Sequence, residues 1–433
     1  MREEKDVSVV TLGCSKNVVD SEYLLKQLKV NGWNIQFDSN DTSARTVIIN
    51  TCGFIADAKE ESIDTILSYV DAKRNGLVDK VYVMGCLSQR YKDDLEKEIP
   101  EVDGFFGVNH LQEILNTLNA EYSESSANLR EITTPKHYAY LKISEGCNWN
   151  CGFCAIPLIR GKHISKPVEE LVLQAQDLVR RGVKELILIA QDSTFYGKDI
   201  YGERRITHLI RELSQIEALE WIRVHYAYPT HFPLDLLTEM ASNPKVCRYI
   251  DIPFQHISSK MLKAMKRRIT RDQTLKLISK IRELVPDVAI RTTLLVGHPG
   301  ETEKDFDELM QFVEWARFDR LGVFAYSEEE GTASANLRDT VSESVKQSRV
   351  EKIMELQSTI SLAKNKARIG KTYKVIIDRF EGEWAVGRTQ YDSPEVDQEV
   401  LIKYTEEDGI TEGDFVNCIV TSAEEYDLFG ELA

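Results

Sequence analysis

Cys147-Asn148-Trp149-Asn150-Cys151-Gly152-Phe153-Cys154 puts three thiols on one short loop, at spacings of four and then three residues. The loop follows an apolar, aromatic run, Tyr138–Ile143, that has the composition of a buried strand. A structural zinc site takes four ligands, commonly as two Cys-x-x-Cys pairs. Here there are three thiols, and the nearest histidine, His163, stands nine residues beyond Cys154. Three thiolates on a 4Fe-4S cluster leave one iron without a protein ligand, open to chelation by the amine and carboxylate of a small molecule. The ligand count favours the cluster over the competing zinc or purely structural reading.

Residues 131–365 alternate strand and helix patterns. The strand candidates are Tyr138–Ile143, Lys184–Ala190, Trp221–Ala227, Arg248–Pro253, Val288–Val296 and Arg320–Tyr326. About six such units predict a partial (β/α) barrel, shorter than the eight-unit form. Val341–Arg368 is amphipathic at helical spacing. Residues 1–130 carry the same rhythm: Val7–Leu12, Thr46–Ile49 and Val81–Met84 as strands, with helices over Ser21–Val30 and Ala56–Ala72. Uninterrupted apolar strands between helices predict an open parallel sheet with helices on both faces. The polar stretch Tyr122–Thr134 is expected to be a linker. Residues 366–433 change texture. Tyr373–Phe380, Trp384–Thr389, Val400–Tyr404 and Phe415–Ser422 are short strands separated by Gly, Asp and Pro, which predicts a small antiparallel β-barrel. The fold class is therefore α/β with a C-terminal β-barrel, in three domains: 1–130, 131–365 and 366–433.

A second trio is spread through the first domain. Cys14, Cys52 and Cys86 each stand just past the end of a predicted strand. In an open parallel sheet those ends share one edge, where ligands bind in doubly wound folds. Each thiol alone would be an apolar core residue. Their common place in the βα rhythm predicts instead that they meet, and three converging thiolates again suit an Fe–S cluster with one free iron. Cys247 and Cys418 sit in apolar strand patterns and are expected to be core.

Composition narrows the class. Hydrophobic residues at 42% and charged residues at 29% describe a globular chain. Lys and Arg number 54 against 70 Asp and Glu, a net charge of −16, which excludes a surface built throughout to track nucleic acid. The opening residues carry no signal-peptide core, and no apolar run approaches the ~18 residues of a membrane span. The expectation is a cytoplasmic protein, where eight cysteines are ligands, catalytic groups or buried thiols rather than disulfides.

The Cys-x-x-x-Cys-x-x-Cys loop, with aromatic Phe153 before its last cysteine, resembles that of the radical S-adenosylmethionine enzymes. With the N-terminal trio and the C-terminal TRAM-like barrel, nearly the whole chain resembles the methylthiotransferases. One branch of that family modifies an adenosine of tRNA, the other an aspartate of a ribosomal protein. Gly13-Cys14-Ser15-Lys16-Asn17-Val18-Val19-Asp20-Ser21-Glu22 is similar to the ribosomal-protein branch, where the tRNA branch usually has Gln-Met-Asn after the cysteine. Leu295-Val296-Gly297-His298-Pro299-Gly300-Glu301-Thr302, Ala385-Val386-Gly387-Arg388 and Asp427-Leu428-Phe429-Gly430 fit the same branch. The resemblance implies two 4Fe-4S clusters and S-adenosylmethionine as cofactors. Cys147, Cys151 and Cys154 would hold the catalytic cluster, and Cys14, Cys52 and Cys86 an auxiliary one that carries the sulfur. A radical made at the first cluster would take hydrogen from the β-carbon of an aspartate in small-subunit ribosomal protein twelve, and the carbon would capture a methylthio group. Both clusters would face one cavity. The implied partners are that basic ribosomal protein and a reducing electron donor. Residues 366–433 hold seven basic and sixteen acidic residues, which suits a basic protein and disfavours a direct grip on RNA. The competing functions are a tRNA adenosine methylthiotransferase and a non-catalytic Fe–S scaffold that binds ribosomes.

Fainter signals complete the candidate site. Gly297 and Gly300 sit at a strand-to-helix turn and offer close backbone approach to the cofactor, with Thr302 and Asp305 placed to cap the helix. Many radical enzymes hold the methionine amine with a Gly-Gly-Glu-Pro-like run after the second strand. This chain has Ala190-Gln191-Asp192-Ser193-Thr194 there, so that role falls to Gln191 or Asp192. Asp251, Gln255 and His256 flank a strand end as cavity-lining candidates. Lys260, Lys263, Lys266, Arg267, Arg268 and Arg271 form one dense basic stretch, expected as a solvated helix end.

Overall fold

The computed structural model describes residues 5–38 and 44–433, which divide into two compact units. The first comprises residues up to Thr134 together with Tyr140–Trp149 and Cys154–Asp177. Its sheet runs β2-β1-β3-β4-β5, with β1 Asp6–Thr11, β2 Asn34–Phe37, β3 Thr46–Thr51, β4 Lys80–Gly85 and β5 Gly104–Phe105. Every pairing is parallel. Helices α1 Ser15–Val30, α2 Ala56–Arg74, α3 Cys86–Glu98 and α4 Leu111–Thr117 cover it. Val7, Val9, Ile48 and Leu24, Leu25 and Leu28 build one core, and Val47, Ile49, Val81, Val83, Ile66 and Val70 another. Alternate residues of the same strands thus feed the two faces, as the expected helix-covered parallel sheet requires.

Two expectations shift here. Helix α1 begins at Ser15, six residues before the expected start, because its first turns bury polar Lys16, Asn17, Ser21 and Glu22 and so show no apolar periodicity. The stretch Tyr122–Thr134 is not a free linker. Gln27 exchanges hydrogen bonds with the backbone of Ser123, and buried Arg130 donates to Glu22 Oε2 at 2.9 Å. Further along, β6 (Tyr138–Lys142) leads to a small antiparallel ribbon of β7 (Ser144–Glu145) and β8 (Ile164–Ser165), with α5 (Ile156–Arg160) between the ribbon strands in sequence.

The second unit contains Leu178–Ala433, with Pro135–Ala139 and Asn150–Phe153. Strands β9 Glu185–Ile189, β10 Trp221–Val224, β11 Val246–Asp251, β12 Ala289–Val296 and β13 Arg320–Ala325 are parallel, and the sheet order is β13-β12-β11-β10-β9-β6. Helices Ile206–Ser214, Leu234–Ser242, Arg271–Leu284 and Glu303–Ala316 alternate with the strands, and Glu343–Lys366 follows them. Strand β10 stops three residues short of the expected Ala227, two residues before Tyr226 turns to a positive φ of 59°.

Residues from Thr372 form a closed five-stranded barrel of β14 Thr372–Glu381, β15 Trp384–Thr389, β16 Glu399–Lys403, β17 Phe415–Ala423 and β18 Asp427–Leu432, in the order β14-β15-β16-β18-β17. Four pairings are antiparallel as expected, but β16 and β18 pair in parallel. Val375, Ile377, Val400, Ile402, Val420 and Leu428 fill it, together with Cys418. Cys247 is buried with Trp221 and Tyr249. Both lone cysteines are therefore core, and burial pushes their thiols up, to about 12 for Cys247 and about 11 for Cys418.

A buried chain of charges links β9 and β10 with barrel strands β14 and β15. Glu185 accepts from Arg223 Nε at 2.7 Å and from Arg388 Nη1 at 2.8 Å. Arg388 also pairs with Asp378 at 2.6 Å, and Asp378 with His137 at 2.7 Å. Buried ion pairs add little net stability, but removing one partner strands the other. Arg388→Met is expected to lower the free energy of urea unfolding by about 3–5 kcal/mol; a loss below about 1 kcal/mol would contradict this account.

Candidate functional site

In the parallel register Thr11 lies opposite Asn50, Asn50 opposite Met84, and Thr51 opposite Gly85. Cys14, Cys52 and Cys86 follow these residues by three, one and one positions, so the sheet delivers all three to its carboxyl edge. The backbone there is close-packed. A Cβ on Gly13 would stand 2.7 Å from Cys52 Cβ and 3.0 Å from its Sγ, and one on Gly53 would stand 2.7 Å from the Leu87 backbone and 2.9 Å from the carbonyl carbon of Cys86. Glycines beside two of the cysteines thus let the three turns crowd together. Among the described residues no three His, Cys, Asp or Glu side chains are already gathered as closely as metal ligands.

Polar groups ring these thiols. Asn17, fully buried, donates to Leu12 O at 2.8 Å and Thr51 O at 3.1 Å, and its Oδ1 lies 3.8 Å from Cys86 Sγ. Arg160 donates from Nη2 to the same Oδ1 at 2.7 Å. Burial pushes the Cys86 thiol up to about 12 and raises that of Cys52, while the Arg160 charge opposes burial at both. Sequence reasoning passed over Arg160. Its only signal was an arginine six residues past a cysteine loop.

In the loop itself, Cys147 N donates to Gly161 O at 3.0 Å, and Trp149 N to Cys147 Sγ at 3.5 Å. In the second unit, Cys151 Sγ lies 3.5 Å from Tyr228 Oη and accepts from Arg267 Nη1 at 3.4 Å. The Arg267 guanidinium also stacks over the Tyr228 ring at 4.3 Å. Gly152 is held through its N–H to Met265 O and through its carbonyl by Ser334 N. Phe153 packs with Met265, Leu295 and Tyr326. The donor set of soft sulfur flanked by cations fits an anionic Fe–S cluster. Arg267 corrects the reading of the basic stretch: it is buried against a cysteine rather than solvated.

The fainter candidates are mostly occupied by the fold's own contacts. Asp192 is buried, and its Oδ1 caps its own turn by accepting from Thr194 N at 2.9 Å; Gln191 beside it is half-buried. A Cβ on Gly297 would stand 2.3 Å from Lys346 Cγ, so the close approach there is made by a lysine stem. Gly300 has φ +86° and open space around it. Thr302 and Asp305 do form the expected capping box. Glu301 ties Gly297 N to Arg349, and burial nonetheless lifts its carboxyl to about 7. Asp251 accepts from Arg291 and from Tyr226 N, and Gln255 bridges to Leu294.

Comparison with known proteins places this geometry in a class. Residues 141–313 match the Radical SAM superfamily, 6–107 the Uncharacterized protein family UPF0004, and 369–433 the TRAM domain. Among solved structures, the radical S-adenosylmethionine methyltransferase TsrM from Kitasatospora setae aligns with a TM-score of 0.54 at 14% identity, over 74% of this chain and 75% of that one. The cobalamin-dependent radical enzyme OxsB aligns at 0.52 over 83% of this chain and 56% of its own. Both share the fold. Full-length relatives are more specific. The ribosomal protein uS12 methylthiotransferase RimO of Cytophaga hutchinsonii is 55% identical over 99% of this chain and 98% of the relative, and that of Flavobacterium psychrophilum 54% over 100% and 99%. The chain belongs to the RimO family of radical S-adenosylmethionine methylthiotransferases. Among the described residues no helix is long and apolar enough to cross a membrane.

Burial at this site also sets an acid limit on stability. His256 is fully buried, and its Nδ1 accepts from Ile257 N at 2.9 Å and Ser258 N at 3.0 Å, which requires a neutral ring. Burial takes its pKa down to about 3. Depression below the unfolded value means that the stability it confers is present above pH 6.5 and is lost as pH falls toward 3. Between pH 6.5 and pH 5 this amounts to about 2 kcal/mol. His256→Gln is expected to flatten the wild-type decline in urea stability over that interval; an unchanged slope would assign the acid sensitivity elsewhere.

Proposed function

We propose that this protein adds a methylthio group to the β-carbon of an aspartate in ribosomal protein uS12, in the cytoplasm, using S-adenosylmethionine and two 4Fe-4S clusters. Cys147, Cys151 and Cys154 hold the catalytic cluster, and Cys14, Cys52 and Cys86 the auxiliary one. The division of labour follows the domains 1–130, 131–365 and 366–433. The observation that carries the reading is the convergence of Cys14, Cys52 and Cys86 on one sheet edge, in a chain that also bears the Cys-x-x-x-Cys-x-x-Cys loop.

When bound, the clusters and cofactor supply reductive cleavage of S-adenosylmethionine to a hydrogen-abstracting radical, together with the sulfur to be transferred. The chain's own residues supply placement and dryness. Arg267 and Tyr228 fix the Cys151 sulfur by hydrogen bonding, and Phe153, with Met265, Leu295 and Tyr326, walls that loop with apolar surface. Phe153, Gln191, Asp192, Gly297 and Gly300 remain the candidate cofactor contacts, with open space beside Gly300. The acidic excess of residues 366–433 steers a basic ribosomal protein rather than RNA. A low-potential electron donor completes the cycle.

Anaerobic reconstitution with uS12 and mass spectrometry tests the assignment. Cys151→Ala is expected to halve the iron and to lower 5′-deoxyadenosine release at least a thousandfold. The triple change Cys14→Ala, Cys52→Ala, Cys86→Ala is expected to halve the iron while keeping that release and losing the methylthio mass shift. Full turnover by Cys151→Ala, or modification of tRNA in place of uS12, would overturn the reading.

A further inference from the structure

Arg160 is buried at the end of α5, a helix packed on α3, whose first residue is Cys86. Ala155 and Ile159 of this segment share an apolar cluster with Cys86 and Val108. The guanidinium sits in a charge-balanced group. Its Nη1 lies 3.1 Å from Asp20 Oδ2 and 3.0 Å from Glu145 Oε1, and Lys142 bridges the same two carboxylates. Its Nη2 reaches Asn17 Oδ1, the atom beside Cys86 Sγ. Two cations and two anions cancel overall, so the group can be buried. Arg160 is the member turned toward the thiols, which gives the group a positive end facing sulfur.

We propose that Arg160 sets the reduction potential of the auxiliary cluster, acting as a positioning residue that presents a fixed positive charge to the Cys86 side of the site. A cation and its hydrogen bonds near cluster sulfur favour the more negative, reduced form, because little solvent screens them there. The Asn17 clamp keeps the guanidinium in place whether or not charge on the sulfur changes. The aliphatic alternatives open to a helix end at this depth would need no matching Asp20 and Glu145 beneath them. The role rests on the assignment of Cys14, Cys52 and Cys86 as cluster ligands.

The test uses the full chain with Cys147, Cys151 and Cys154 changed to alanine, so that only the auxiliary cluster gives a signal in a potentiometric titration followed by electron paramagnetic resonance. Arg160→Gln alone would strand two buried carboxylates, so it is paired with Glu145→Gln, which restores charge balance with Lys142 and Asp20. This double variant is expected to keep its iron and sulfide and to show, at the parent's midpoint, a reduced-to-oxidised ratio at least tenfold lower (about 59 mV for one electron). Glu145→Gln by itself is expected not to lower the ratio, and Arg160→Lys is expected to restore most of it. An unmoved midpoint with iron retained overturns the proposal, as does loss of iron from the double variant alone, which would make Arg160 a scaffold residue. A parent chain that binds no iron would instead defeat the ligand assignment, and the Arg160 role with it.

Discussion

The constraint on which the first unit depends is the common register of parallel strands. Because β1, β3 and β4 run the same way and end level with one another, residues 38 and 34 positions apart in the chain arrive at one edge. Parallel pairing demands a helical crossover between strands, and α1 and α2 supply it. Each cysteine then stands at the sharp turn where a strand gives way to the next segment. A side chain on a strand interior would have had to choose one face; at the turn it is free to point along the sheet.

Burial of charge is the second theme. The chain places complete ionic groups inside each unit: Lys142, Arg160, Asp20 and Glu145 in one, and Glu185, Arg223, Arg388 and Asp378 in the other. Such groups cost desolvation and offer specificity of arrangement in return. In both cases one arginine contacts two acidic residues that come from different segments, so the pairing ties together stretches far apart in sequence. Long aliphatic side chains would pack there without fixing direction.

The architecture was legible where period and composition carried it. The alternation of strand and helix and the change to short strands near the C-terminal end found counterparts in the structure. The misses share a cause. The first turns of α1 and the segment Tyr122–Thr134 bury polar side chains, so a pattern sought in apolar residues passes over them. Strands Asn34–Phe37 and Gly104–Phe105 are too short to show alternation. Arg267 hid within a stretch of six basic residues, and its guanidinium meets a cysteine sulfur in a hydrogen bond. Gly297 has the expected positive φ, and the lysine stem packed against it comes from a helix some fifty residues on, which no local pattern announces. Periodicity reports which face is buried; it is silent about which polar partner waits there.

The parallel contact between β16 and β18 bears on how the C-terminal barrel is assembled. Its ring is sealed by the strand made last of the five, which slots between two made earlier. Until that strand emerges from the ribosome, β16 and β17 each present an unpaired edge, at a synthesis rate of roughly 5–20 residues per second. Vectorial synthesis therefore leaves this module open-sided until its final segment arrives, and completion shuts both seams in a single event.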